Sequence, residues 1–215
     1  MKFLYGLGGA NVPVIKEFEL SNPAEAIEAG QALKCTNRGL VGKNVDGKYI
    51  GVAAEDHSGK EDILNPRANG NKIRIDITKD AVYSVPMMKL TAVANGSPIT
   101  FVCPGGYVTG NHLVFSLMLI SKGEGSTNTD AVGTIRKIDN VTSSGSNYVY
   151  EIETGGTTCE GDVYAVVPYV GFKGGVDDSY KGMEFCSDTG TELAVVGINK
   201  TDATVEVKFN AGLFN

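Results

Sequence analysis

Apolar and polar residues alternate in short runs along most of this chain, the period of a half-buried strand rather than of a helix. Ile73, Ile75 and Ile77 point one way and Arg74, Asp76 and Thr78 the other, which predicts a strand with one buried and one wet face. Val205, Val207 and Phe209 against Glu206, Lys208 and Asn210 repeat the design. The longest apolar run, from Leu113 to Ile120, has the length of a strand. Two distant stretches share an order of such runs. The first is Ala32 to Cys35, Tyr49 to Ala53, Ile73 to Thr78 and Ala81 to Tyr83; the second is Met183 to Cys186, Leu193 to Ile198, Val205 to Asn210 and Ala211 to Phe214. They read as two versions of one small β unit.

Residues 1–20 carry apolar bursts, Phe3-Leu4-Tyr5, Val12-Pro13-Val14-Ile15 and Phe18-Glu19-Leu20. Glycines and Pro13 interrupt them, so they predict an arm or an edge strand. One helix signal follows: Asn22 as cap, Pro23 in the first turn, Glu25 three residues after the cap and Gly30 at the end, enough for at most two turns. Asp46-Gly47 marks a hairpin between Leu40-Val41 and the run from Tyr49 to Val52, and residues 55–71 read as a polar loop. Between 88 and 170, short strands alternate with Gly/Ser turns. There the run Val132 to Ile138 leads through the turn at 143–147 to a partner strand, Tyr148 to Glu153. The expected organisation is an arm (1–20), a β unit (21–87), an inserted β-barrel or sandwich module (88–170), and a C-terminal β unit (171–215) packing with the first. The fold class is all-β, with at most one or two short helices.

Composition narrows the partners. The chain has 215 residues, enough for a real core, and its 28 glycines against 20% charged residues favour turns and short strands over solvated helices. A net charge of −6, without a basic run, argues against nucleic acid. The apolar start Phe3-Leu4-Tyr5 breaks at once into Gly6-Leu7-Gly8-Gly9, too short for a signal-peptide core, and no run reaches membrane-span length. Synthesis in a cytoplasm and no membrane partner are the expectations. Cys35, Cys103, Cys159 and Cys186 lack zinc or redox spacing and read as buried free thiols, the matching places of Cys35 and Cys186 suggesting packing rather than pairing.

Candidate chemistry is thin. Gly6-Leu7-Gly8-Gly9 lacks the following helix that a phosphate-binding turn needs. His57, between Asp56 and Ser58, reads as part of a solvated turn, since neighbouring side chains diverge instead of forming a triad, and His112 lies in another turn. Asp177-Asp178 and the loop 124–130 offer oxygens without calcium-loop order and read as ordinary surface loops. The absence of tryptophan removes the strongest sugar-stacking platform. Asn95, Asn140 and Asn199 head glycosylation-type triplets that read as chance matches. No catalytic, cofactor or metal residues are assigned, and an enzyme is not expected.

The run Ala29-Gly30-Gln31-Ala32-Leu33, then Tyr49-Ile50-Gly51-Val52-Ala53-Ala54-Glu55-Asp56, then the alternating strand running to Val82-Tyr83, resembles tailed-bacteriophage head decoration (capsid cement) proteins. Those proteins place a polar x-G-x-x-L entry before a hydrophobic-G-hydrophobic-A strand, followed by an alternating strand and a short apolar end. The stretch from Val205 to Phe214 is similar to that closing element; residues 88–170 depart from the pattern. The resemblance implies a β-tulip-like decoration domain, often trimeric, bound outside an icosahedral shell and clamping major capsid subunits against internal pressure. It implies a virion location, a major capsid protein as partner, self-association and no cofactor. The residues expected to meet that partner are Phe3, Leu4, Tyr5, Val12, Val14 and Ile15, through addition of a strand to a sheet edge. A tail-tube or head-fibre subunit, or a carbohydrate- or surface-binding β module, are the alternatives.

Overall fold

Strand after strand, the alternation is realised as extended chain. A computed structural model describes residues 1–6, 12–59, 70–96, 98–105, 108–109, 112–157, 159–186 and 191–210. The first strands are β1 (Lys2–Gly6), β2 (Ile15–Glu19), β3 (Ala32–Cys35), β4 (Val41–Gly42), β5 (Lys48–Ala53), β6 (Lys72–Asp76) and β7 (Ala81–Pro86). The middle of the chain forms β8 (Lys89–Thr91), β9 (Ile99–Pro104), β10 (Val108–Thr109), a 3-10 turn (His112–Val114), β11 (Ser116–Ser121), β12 (Ile135–Lys137), β13 (Asn140–Ser144), β14 (Asn147–Ile152) and β15 (Val163–Val167). The last third adds β16 (Lys173–Gly174), β17 (Phe185–Cys186), β18 (Leu193–Asn199) and β19 (Thr204–Phe209).

The chain is all-β, 49% strand and 1% helix, in several antiparallel sheets consistent with sandwich modules; among the described residues no barrel closes. One five-stranded sheet has the order β1-β7-β19-β18-β16 and the other β2-β6-β5-β3-β4. The middle of the chain supplies a four-stranded sheet, β12-β11-β15-β8, and a three-stranded one, β13-β14-β9. A short parallel pair, β10 with β17, ties the middle to the last third.

Aromatic contacts join the two five-stranded sheets. Tyr49 of β5 stacks on Phe209 of β19 at 5.5 Å between ring centroids, and Phe209 meets Tyr83 of β7 edge-on at 5.8 Å. Such pairs contribute about 0.5–1.5 kcal/mol each beyond the area they bury. The same core continues into the middle sheets through Phe101 against Tyr164 and Phe115 against Phe172 and Phe185. A second, smaller core lies on the far face of the β2–β6 sheet, where Ile73, Ile75 and Ile77 pack with Leu33, Ile50 and Val41. A bulge lets β5 serve both cores. Leu33 pairs with Gly51 but Lys34 with Tyr49, so Ile50 is an extra residue. Tyr49 and Val52 then join the larger core, and Ile50 and Ala53 the smaller. Gly51 has no substitute there: a methyl group on it would overlap the Asp76 carbonyl oxygen on β6.

Several expectations are corrected. The helix after Asn22 does not form. Asn22 caps a single turn, its Oδ1 accepting from Ala24 N–H at 3.1 Å, but Ile27 is then drawn into a bridge with His57, each N–H donating to the other's carbonyl. So short a segment gains too few hydrogen bonds to offset helix nucleation, and the bridge wins. Asp46-Gly47 does not close a two-residue hairpin, because β3 lies between β4 and β5. The apolar run at 113–120 is a strand only from Ser116; Leu113 and Val114 sit in the 3-10 turn and are half exposed. β14 pairs with β13 and β9, not with β12. The internal repeat is carried only in part. The β18–β19 pair parallels β5–β6, yet β17 leaves to join β10 while β16 takes the third place, and residues 211–214 lie outside the described residues. The face of β6 predicted to be wet is wet only at Arg74; Asp76 and Thr78 are buried.

Candidate functional site

Residues 2–6 and 15–19 are edge strands. β1 borders one five-stranded sheet and β2 the other. Phe3 turns inward, meeting Tyr83 edge-on at 6.2 Å, while Leu4 is the odd residue of a bulge between Phe3 and Tyr5. Leu4, Tyr5, Val12, Val14 and Ile15 are all exposed large apolar residues, Val12 the most at 75%. Tyr5 reaches over β7 to donate its hydroxyl to Glu206 Oε2 at 2.9 Å; that bond, burial and the Glu206 charge all raise its pKa. Val14 is anchored by its backbone: its N–H donates to Thr78 Oγ1 at 2.7 Å and its carbonyl accepts from Ile77 N–H at 2.9 Å. Of the six, Phe3 and Ile15 meet at a common cavity. Gly6-Leu7-Gly8-Gly9 falls, apart from Gly6, outside the described residues.

That cavity, about 350 Å³, opens where β1, β2, β5, β6 and β7 approach one another. Its walls include Phe3, Ile15, Val52 and Tyr83, with Arg74 and Asp76 supplying the charge. Ile15 and Asp76 are cross-strand partners. Asp76 is 4% exposed. Its Oδ1 accepts from Thr78 N–H at 3.0 Å and from Thr78 Oγ1–H at 2.6 Å, whereas its Oδ2 is buried without a hydrogen-bond partner. Arg74 is committed elsewhere, its guanidinium held by both Glu55 Oε2 contacts at 2.7 Å. The Tyr83 hydroxyl is pushed far up, first by burial and then by the Asp76 charge beside it.

Polar groups elsewhere serve the fold. His57 is buried, not solvated, its Nδ1 lying 3.2 Å from Glu25 O and its Nε2 3.2 Å from Gly70 O. The loop at 124–130 is likewise no ordinary surface loop: Asn128 and Asp130 are buried in it. Asn128 Nδ2 donates to Asp162 Oδ2 and to the Tyr164 hydroxyl, both at 2.8 Å, and the other Asp162 oxygen accepts from Gly123 N–H. Asp130 takes a two-point ion pair from Arg136, which holds its carboxyl below the usual range, while burial carries the Tyr164 hydroxyl up to about 12. Asp177 spends its Oδ1 on the turn it begins, accepting from Ser179 Oγ, Lys181 N–H and Gly182 N–H. Asn95, Asn140 and Asn199 each use their carboxamide in hydrogen bonds. Cys35, Cys103 and Cys159 are buried free thiols; burial raises the first and lifts Cys103 to about 11. Among the described residues, no group of three or more His, Cys, Asp or Glu could hold a metal ion, and no helix is long and apolar enough to cross a membrane.

Reading the sequence missed Asp76 because alternation assigns faces without saying what covers them. It also missed a second exposed apolar group, Leu113, Val114, Tyr169 and Val170, which the β11–β15 register leaves at one end of the middle sheets. No family model matches the chain, and neither do curated proteins or solved structures.

Proposed function

We propose that the chain is a structural virion protein that attaches to the outer surface of a tailed-phage capsid and braces neighbouring major capsid subunits, as a homo-oligomer, with a trimer the expected form. The observation that carries this reading is the position of the two N-terminal strands. Each lies at the edge of a five-stranded sheet; β1 presents Leu4 and Tyr5 to the outside, and β2 and the segment leading into it present Ile15, Val12 and Val14. An edge strand carries unpaired backbone donors and acceptors, and exposed apolar side chains beside them favour addition to a partner strand. The two edges differ. β2 reads Ile-Lys-Glu-Phe-Glu and carries three charges, which discourage indiscriminate pairing; β1 reads Lys-Phe-Leu-Tyr-Gly and carries one. β1 is therefore the strand proposed to add, and its bulge hinders the zipping of identical edges. The acidic charge of −6 favours the outer face of a shell filled with DNA over its inner face.

The test is co-sedimentation of the purified chain with a panel of empty tailed-phage capsids, together with its solution mass. Saturable binding by an oligomer is the expected result. A monomer that binds none of the shells, or strong saturable binding to one class of glycan instead, would sink the reading.

A further inference from the structure

We propose that the hairpin tip at residues 177–182 is a latch over the outer edge of β3, closed in this structure and able to lift as a unit while the sheets beneath it stay folded. The latch stands whether or not the chain attaches to a shell. Its starting point is the edge it covers. β4 is only two residues long and pairs with Lys34 and Cys35, so it stops short of Ala32. There the Ala32 N–H donates to the Tyr180 carbonyl at 2.7 Å. Loop backbone thus takes the place of the missing strand. Covering an edge in this way withholds its donors and acceptors from other chains.

Polar contacts build the tip and hold it down. Asp177 Oδ1 shapes it, accepting from Ser179 Oγ–H at 2.7 Å, Gly182 N–H at 3.0 Å and Lys181 N–H at 3.2 Å. Toward the first β unit, Gln31 Nε2 donates to the Ser179 carbonyl at 2.9 Å and the Tyr180 hydroxyl donates to Asn44 Oδ1. Lys43 lies 5.9 Å from the centre of the Tyr180 ring, and Lys181 pairs with Glu28. Apolar packing sits at the two hinge points, where Val176 and Met183 form a bridge and both rest on the larger core. Behind the tip there is a void: Asp177 and Gly182 wall a cavity of about 310 Å³ together with Met87, Met88 and Met183. Tyr180 is strained as well, with φ at +60°, a left-handed value that a tyrosine adopts only at a cost. Lifting the tip releases that strain. A segment held mainly by polar bonds, with strain inside it and a void behind it, belongs to the low end of local stability.

Hydrogen exchange of the full-length chain, labelled with nitrogen-15 and followed by NMR at low urea concentrations, reads the latch at single amides. The Ala32 N–H reports the contact with Tyr180. The Ala53 N–H, which donates to the Gln31 carbonyl at 2.8 Å, reports the sheet beneath. After correction for intrinsic rates, Ala32 should be protected yet exchange at least about a hundredfold faster than Ala53. Urea should barely alter that opening, because little surface is exposed by it. Asp177→Ala removes the acceptor that shapes the tip and should quicken Ala32 by at least about tenfold while leaving Ala53 within about twofold. Ala32 and Ala53 exchanging at one rate with the same urea dependence in the parent chain overturns the proposal without recourse to any variant, since the tip then opens only with the sheets. An unprotected Ala32 overturns it too, because no latch then closes on that edge. So does an Asp177→Ala chain in which Ala32 is not quickened, or in which Ala53 quickens as much.

Discussion

Thr78→Val is the substitution that most sharply interrogates the junction between β2 and β6. The side chain keeps its shape and loses only a hydroxyl, so no cavity term enters. That hydroxyl donates to Asp76 Oδ1 at 2.6 Å and accepts from Val14 N–H at 2.7 Å. The first bond is to a buried carboxyl group and is worth about 1.5–3 kcal/mol; the second is an ordinary bond of about 0.5–1.5 kcal/mol. Val14 is exposed, so its freed N–H finds water and the second loss falls at the low end. Asp76 retains the Thr78 backbone N–H at 3.0 Å, which limits the first. The expected cost is about 2–3 kcal/mol. In equilibrium urea unfolding, with a slope of about 3 kcal/mol per molar, the midpoint should fall by about 1 M. Thr78→Ser keeps both bonds and should stay within about 1 kcal/mol of the parent. A valine variant within about 0.5 kcal/mol of the parent would refute the reasoning, because the network would then not be holding the strand.

Two charged sites give predictions with opposite pH signs. Asp130 has a depressed folded pKa through Arg136, so its contribution is present above the ordinary carboxylate range and is lost as pH falls through the folded value. Arg136→Met should cost about 1–2 kcal/mol at neutral pH, toward the low end because Arg136 is partly exposed; in urea midpoints measured against pH, the gap to the parent should close in acid. Glu184 has a raised folded pKa, from burial first and then from Asp178, Asp177 and Glu192. The parent therefore loses stability as pH rises from the ordinary glutamate value of about 4.3 through the raised one. Glu184→Gln should be the more stable chain at pH 7, with an advantage that disappears below about pH 4 in thermal melts; a variant less stable than the parent at pH 7 would contradict this.

How much of this was legible in the sequence depended on the range of the forces involved. Alternation at 73–77 and 205–209 marks real strands with the isoleucines, valines and Phe209 inside, because side-chain direction in a strand is local. The Asn22 cap was also legible and is present, but the helix it announces lost to a bridge with His57, a residue thirty positions away. The bulge at Ile50 switches β5 between two cores, a choice set by β3 rather than by β5 itself. Asn128 meets Asp162 and Tyr164 across 34 and 36 residues, so a loop that reads as polar and solvated is a buried hydrogen-bonded network. Of the candidate site, the exposed apolar character of Leu4, Tyr5 and Ile15 follows from their place on edge strands and that of Val12 and Val14 from the segment leading into β2, and the burst pattern announced these apolar positions. Asp76 could not be found that way. Its burial depends on β7 laying Tyr83 over one end of β6, and on Thr78 engaging only one of its oxygens.

Attachment through the β1 edge makes a claim about particular backbone amides, and hydrogen exchange of the chain with and without an empty capsid that retains it reads them out. Slowed exchange concentrated at Lys2–Gly6, with a smaller effect at Ile15–Glu19, is the result the account predicts. Retention on the shell with those amides unchanged, and protection confined instead to the far end of the middle sheets around Val114 and Tyr169, would contradict it.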